Sequence, residues 1–286
     1  MLDALIDALI DTAKILPFLF LTYLVMEYLE HRAGKKAETL VRKAGWFGPV
    51  IGGLLGVVPQ CGFSTAASNL YAGRVITMGT LMAVYLSTSD EMLPILISSQ
   101  EASAAEILAI LATKALIGIL AGLVIDFLLR SRHKEEHEHI HSLCEHDHCH
   151  CEEGIVKSAI IHTLQIAFFI LVMGLALNFL FFFAGEEALS NIVLNRPVLG
   201  PMLASLVGLI PNCAGSVALT ELYWNDGMHI ISLGSMLAGL LTGSGVGLLV
   251  LFRVNHHKKE NLAILGMLYG IGVVTGIVTE FVMMCI

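Results

Sequence analysis

The sequence predicts an all-α polytopic membrane protein built from two inverted repeats. Each repeat holds three full transmembrane helices and one re-entrant helical hairpin, ten helical segments in all. Three observations predict this. The 286 residues are 56% hydrophobic and only 14% charged, where soluble domains carry about 25% charge. Residues on either side of a polar centre repeat at one offset. The Lys and Arg residues fall almost wholly on one side of a single topology.

Apolar runs near 15–29, 46–58, 75–86, 104–129, 159–184, 198–211, 228–252 and 261–286 fill most of the chain. Several reach the roughly 20 residues that cross a bilayer. The opening "MLDALIDALIDTAKILPF" is acidic, unlike a cleaved signal peptide. Its Asp3, Asp7 and Asp11 recur on one helix face and read as interfacial. The net charge of −8 excludes a polybasic nucleic-acid binder, so no nucleic-acid partner is expected. The six cysteines form no disulfide framework. Cys61, Cys213 and Cys285 lie in apolar segments, and Cys144, Cys149 and Cys151 lie among histidines.

Self-similarity sets the domain plan. Gly48, Pro49, Gly56, Pro59, Cys61, Ser64, Leu70 and Tyr71 match Gly200, Pro201, Gly208, Pro211, Cys213, Ser216, Leu222 and Tyr223, all at offset 152. "GTLMAVYLSTSD" (79–90) then lies over "GSMLAGLLTGSG" (234–245), and Gly118, Gly122, Asp126 and Phe127 lie over Gly272, Gly276, Glu280 and Phe281. The expected units are repeat 1 over 1–132, a His/Cys-rich loop over 133–153 and repeat 2 over 154–286.

Segment 46–72 decides the orientation. As one straight helix it would be about 40 Å long, against a hydrocarbon core of about 30 Å. Broken at Pro59-Gln60, each limb would be about 18 Å and end near the midplane. If 46–72 and 198–224 both cross, the fourteen loop cations split nine to five. If both are re-entrant, they split thirteen to one. Arg32, Lys35, Lys36, Arg42, Lys43, Arg74, Arg130, Arg132, Lys134, Lys157, Arg253, Lys258 and Lys259 share one side, and only Arg196 lies outside. Cytoplasmic loops are enriched in such residues. The hairpin topology therefore places both termini outside and 130–157 in the cytoplasm of a bacterial or archaeal plasma membrane. Inverted repeats with broken helices meeting at the midplane are a recurring plan of secondary transporters.

Four groups carry candidate chemistry. The first is the pair of hairpin tips, "GVVPQCGFS" (56–64) and "GLIPNCAGS" (208–216). Pro59 and Pro211 break the helix and free carbonyls. Gln60 and Asn212 add side-chain oxygens, and Cys61 and Cys213 add soft sulfurs. A packed bend with a small buried thiol is the bland alternative. The second is "LSTSDEMLP" (86–94), where Asp90 and Glu91 would be costly in hydrocarbon and so suggest function. Thr88-x-x-Glu91 also fits a capping box that would start the second half of a broken helix. The matching "LLTGSG" (240–245) has no acid, and Ser87, Ser89, Thr242 and Ser244 could supply oxygens.

The third group is the far limb of each hairpin, where Asn69 aligns with Glu221 beside Trp224. Glu221 reads as a ligand or as a rim residue. Asp126 and Glu280, near the ends of their spans, read as interfacial or structural rather than as ligands, and Lys114 as a partner for an intramembrane acid. The fourth is the loop, with His133, His137, His139, His141, Cys144, His146, His148, Cys149, His150 and Cys151. Imidazole and thiolate favour transition metals over Mg or Ca. The spacing is loose, as in a solvated loop that captures metal rather than a folded finger.

Together these features resemble the ten-span heavy-metal exporter family, whose members carry the labels manganese transporter and arsenic efflux protein. The residues that carry the likeness are "PQCGFSTAASNLYAGRVITMGTLMAVYLSTSDEMLPILIS" (59–98), "IPNCAGSVALTELY" (210–223) and the His/Cys-rich loop. Counting each hairpin limb as a span gives the family's ten. The likeness implies metal or metalloid export.

The leading expectation is a secondary transporter exporting a divalent transition metal, Mn(II) or Zn(II), with protons as the coupling ion. Asp90, Glu91 and Glu221 would supply charge. Gln60, Asn212, Asn69 and the serines would supply neutral oxygens. No G-x-x-x-x-G-K-[ST] signature for ATP is present. The rival is a permease for a trivalent arsenical or other thiophile, held by Cys61 and Cys213. A membrane metal sensor acting through the loop is the third. No enzyme is expected: the spans hold no zincin motif or Ser/His pairing, and His162 and His229 are single. No cofactor is required, since the metal is cargo. The expected partners are the metal ion, the bilayer and protons, and the sequence permits a homodimer.

Overall fold

The computed structural model describes residues 47–58, 61–89, 103–130, 196–211, 213–224 and 231–285, with scattered helical positions at 16–24, 92 and 156–172. The described residues form helices and no strand. In chain order these are α1 (Gly48–Gly56), α2 (Cys61–Ala72), α3 (Met78–Ser87), α4 (Ala104–Arg130), α5 (Leu199–Gly208), α6 (Cys213–Tyr223), α7 (Leu233–Thr242), α8 (Gly247–Val254) and α9 (Lys258–Cys285).

Among the described residues, three stretches are long and apolar enough to cross a membrane: Ala104–Leu129, Leu233–Val254 and Lys258–Cys285. The first and last present large apolar side chains outward, among them Leu116, Leu120, Val124 and Phe127 on α4, and Val274, Val278, Phe281 and Val282 on α9. In water such faces would aggregate; against lipid tails they cost nothing. Leu233–Val254, in contrast, is mostly buried by protein. It contains the interruption between α7 and α8, so its exposed backbone is covered by protein, as the hydrocarbon requires.

One packing scheme occurs twice. α3 lies antiparallel to α4, and the backbones approach so closely that a Cβ on Gly79 would strike the Gly122 carbonyl and the Asp126 carboxylate. α7 meets α9 alike, where a Cβ on Gly234 would strike the Gly276 carbonyl and Glu280. Small residues at helix contacts allow this in membrane proteins. α1 packs on α3 and α4, and α5 on α7 and α9. Pro49 faces Gly122, and Pro201 faces Gly276.

Each scheme is pinned by a carboxylate. Asp126 Oδ1 accepts from the Gly79 amide at 2.8 Å, and Oδ2 accepts from Thr77 Oγ1 at 2.6 Å. Glu280 Oε1 accepts from the Ser235 amide at 3.2 Å. Thr77 and Ser232 are the N-caps, accepting from the Thr80 and Ser235 amides. These groups satisfy the orphan donors at the starts of α3 and α7 and set negative charge on the positive helix ends. Asp126 and Glu280 therefore have the structural role expected of them.

The limbs of the first proline-broken segment lean on different neighbours. α1 packs along α3, whereas α2 packs along α8, and the two limbs touch each other little. The α5–α6 turn is sharp, since a Cβ on Gly215 would reach the Val207 carbonyl. Two apolar clusters fill the interior, and both mix the halves. One joins Tyr71, Leu81, Met82, Tyr85 and Leu86 to Leu241, Leu251, Ile264 and Leu268. The other joins Met92 and Ile110 to Val207, Leu219, Met236 and Leu240.

Candidate functional site

The helix interruptions converge. α1 and α3 run in the same direction and stop together, so that a Cβ on Gly56 would strike Ser87. Ser89 Oγ then donates to the Val57 carbonyl at 2.7 Å, joining the break after α3 to the turn after α1. In the second half a Cβ on Gly208 would strike Thr242, and Thr242 Oγ1 donates to the Ser205 carbonyl at 2.9 Å. A Cβ on Gly243 would press on Ser216 Oγ, which brings the break after α7 to the start of α6.

A cross-half contact closes the set. Ser68 Oγ lies 2.7 Å from the Gly247 carbonyl, 2.7 Å from the Ser64 carbonyl and 2.7 Å from the Tyr85 hydroxyl. A hydroxyl has one proton, so Tyr85 donates to Ser68 and Ser68 donates to one carbonyl at a time. A Cβ on Gly247 would meet Ser64, so α8 begins against the first turn of α2.

The convergence is polar and buried. Ser64, Thr65, Ser68, Asn69, Ser87, Ser205, Thr220 and Thr242 are each fully buried, with Thr88, Ser89 and Ser244 nearly so. Most of these hydroxyls bond to helix carbonyls, as do Ser87 with Ala83, Thr88 with Val84 and Thr220 with Ser216. Ser205 Oγ is buried with no hydrogen-bond partner among the described residues. Gly245 supplies the left-handed turn of the second break, at φ 54°.

Of the expected site residues, Asn69, Ser87, Ser89 and Ser244 lie in this buried zone. Asn69 Nδ2 donates to the Thr65 carbonyl at 3.1 Å. Cys61 and Cys213 are the first residues of α2 and α6, and Glu221 lies on α6. Gln60, Asn212, Asp90, Glu91 and the loop residues His133 to Cys151 fall outside the described residues, as do the side chains of Cys61, Cys213 and Glu221. Among the described residues, no three His, Cys, Asp or Glu side chains gather as a metal site. Thr88 is the C-cap of α3, and its hydroxyl donates back to the Val84 carbonyl at 2.7 Å. Glu91, its expected partner in a capping box, lies outside the described residues.

Two charged side chains make contacts that the sequence did not name. Lys114, on α4, is 1% exposed and donates from Nζ to the Leu240 carbonyl on α7 at 2.5 Å. Arg74 joins the turn after α2 to the start of α9. Its Nη1 and Nη2 donate to Glu260 at 2.9 and 3.2 Å, Tyr71 donates to the same carboxylate at 3.1 Å, and the guanidinium lies 5.4 Å from the Tyr71 ring centre. Asn255 and Asn261 pair beside it at 2.7 Å. Burial works against the Arg74 charge, but the hydrogen bonds and charge of Glu260 outweigh it and hold the guanidinium protonated, above its ordinary value. Arg74 also has a left-handed backbone at φ 58°. Glu106 sits close enough to Tyr223 to act on it electrostatically. Each half thus sets a first-turn glutamate near the other half's tyrosine. The repeat register held that signal, since Tyr71 matches Tyr223 and Glu106 lies 154 before Glu260.

The helical architecture and its lipid-facing spans define a polytopic integral membrane protein. Residues 1–186 match the model of a family described as "Putative, 10TM heavy-metal exporter". The chain belongs to this family, one of exporters and not of enzymes. The match ends at residue 186, and "GLIPNCAGS" (208–216) lies beyond it. No curated protein and no solved structure matches the chain.

Proposed function

We propose that the protein is a secondary transporter that exports a divalent transition-metal ion, Mn(II) or Zn(II), in exchange for protons. The observation that carries this reading is the Ser89–Val57 hydrogen bond. It sets the break of α3 against the turn of the first proline-broken segment, and Asp90 and Glu91 follow Ser89 directly in the chain. Carboxylates there would supply the charge for a hard or borderline cation. Gln60, Asn212, Asn69, Ser87, Ser89 and Ser244 would supply neutral oxygens, and Cys61, Cys213 and Glu221 would lie at the margin. The duplicated packing of α1, α3 and α4 by α5, α7 and α9 supports two repeats. The one-sided cations support their inversion, with ten helical segments, outside termini and a cytoplasmic loop that gathers metal for export.

Flux into proteoliposomes, with Mn(II), Zn(II), Cd(II) and arsenite as a panel and a pH-sensitive dye inside, tests the reading. Divalent metal should move with opposed proton movement. Asp90→Asn should abolish it at unchanged expression, and retained flux would remove Asp90 from the site. Flux of arsenite alone, lost in Cys61→Ser/Cys213→Ser, would overturn the divalent-metal reading. Deleting 133–151 should leave residual flux, whereas no flux in any form would leave only a sensor.

A further inference from the structure

A lysine in the interior of a membrane protein is costly. Lys114 is surrounded in sequence by "EILAILATKALIGILAGL", and burial of its charge costs a few kcal/mol. The repeat does not call for it, because the residue 154 further on is Leu268, packed in the apolar core against α3. The lysine is therefore an addition to one half only.

Its position explains what it adds. α7 stops at Thr242, so its last carbonyls lack helical donors. Gly239 O is taken by the Gly243 amide. Leu240 O, one residue on, takes the Lys114 ammonium. At the equivalent break, Val84 O, which matches Gly239 O, is taken by the Thr88 amide and hydroxyl, and Tyr85 O, which matches Leu240 O, faces the Thr88 amide at 3.4 Å. An amide serves this carbonyl at one break, and a cation serves it at the other. A helix C-terminus carries partial negative charge, and such ends of broken helices coordinate cations in transporters.

We infer that the end of α7 at the Leu240 carbonyl is a seat for a monovalent cation, held by the Lys114 ammonium as a tethered ion. One consequence rests on the transport reading above: a cargo ion that reaches this carbonyl must displace the lysine first.

The test is thermal unfolding of the purified full chain in detergent, which requires no transport. Lys114→Ala should melt below wild type. Ammonium or potassium at 100 mM should raise its melting temperature by about 3 °C or more, while choline at equal ionic strength should not. Wild type, with the seat filled, should not distinguish the salts. Lys114→Met, whose apolar chain fills the same space, should also melt low but gain no response. Equal responses to ammonium and choline, an ammonium response in Lys114→Met, or a Lys114→Ala chain that fails to fold in ammonium would each overturn the seat. Cation rescue in a protein that moves no metal in vesicles would keep the seat and remove the transport reading.

Discussion

Separating Arg74 from Glu260 should weaken the joint between the two halves by a measurable amount. The guanidinium makes two hydrogen bonds to the carboxylate, at 2.9 and 3.2 Å, and the side chains are 29% and 35% exposed. Fully exposed pairs contribute about 0.2–1 kcal/mol, and buried charge-assisted bonds about 1.5–3 kcal/mol each. Partial exposure places the coupling between these, at about 1–2 kcal/mol. Arg74→Gly, Glu260→Ala and the double variant form a double-mutant cycle, read by unfolding in detergent. Glycine suits position 74, because its left-handed backbone would cost alanine about 1 kcal/mol. That backbone gain enters both arms of the cycle and cancels, leaving the pair. Moderate salt should reduce the coupling through screening. Single effects that add within about 0.5 kcal/mol would refute the reasoning and make the pair a passive surface contact.

Further outcomes follow from the packing. Asp126→Ala removes the acceptor of two hydrogen bonds and should destabilise by about 1–3 kcal/mol, more than Glu280→Ala, whose carboxylate receives the Ser235 amide; chemical unfolding compares them. Gly79→Ala must separate α3 from α4 and should cost about 2 kcal/mol or more, whereas Gly270→Ala has open space and should fold as wild type, as read by monodispersity and melting temperature. Ser89→Ala leaves the Val57 carbonyl without that donor and should lower stability by about 1 kcal/mol while leaving the α3 caps intact, as read by hydrogen exchange at residues 57–63 against 77–80.

The helix breaks and caps were legible because local chemistry writes them. Proline stops α1 before Pro59, Thr77 and Ser232 cap their helices, and Gly245 takes a left-handed turn. The role of Asp126 and Glu280 was legible from their shared place near span ends. What was hidden lies between elements distant in sequence. Nothing near Arg74 announces a partner 186 residues away, and nothing near Lys114 points to a carbonyl 126 residues on. Periodicity shows which face of a helix is apolar, not which helix covers it. That is why two limbs read as one hairpin turn out to pack on different neighbours. The C-cap role of Thr88 was hidden for a local reason: a threonine at a break can close the helix behind it or open the one ahead, and both fit the same spacing.

The carboxylate clamps have a mechanical consequence. Asp126 and Glu280 fasten α3 and α7 at their first turns only. The other end of each half-helix stops at an interruption, where hydroxyls and a lysine replace the backbone ladder. Each half-helix is thus a beam held at both ends by unlike fastenings: a carboxylate on backbone amides at its start, and side chains reaching between neighbouring segments at its break, Ser89 to Val57 and Thr242 to Ser205. Loosening the second kind would leave the first in place.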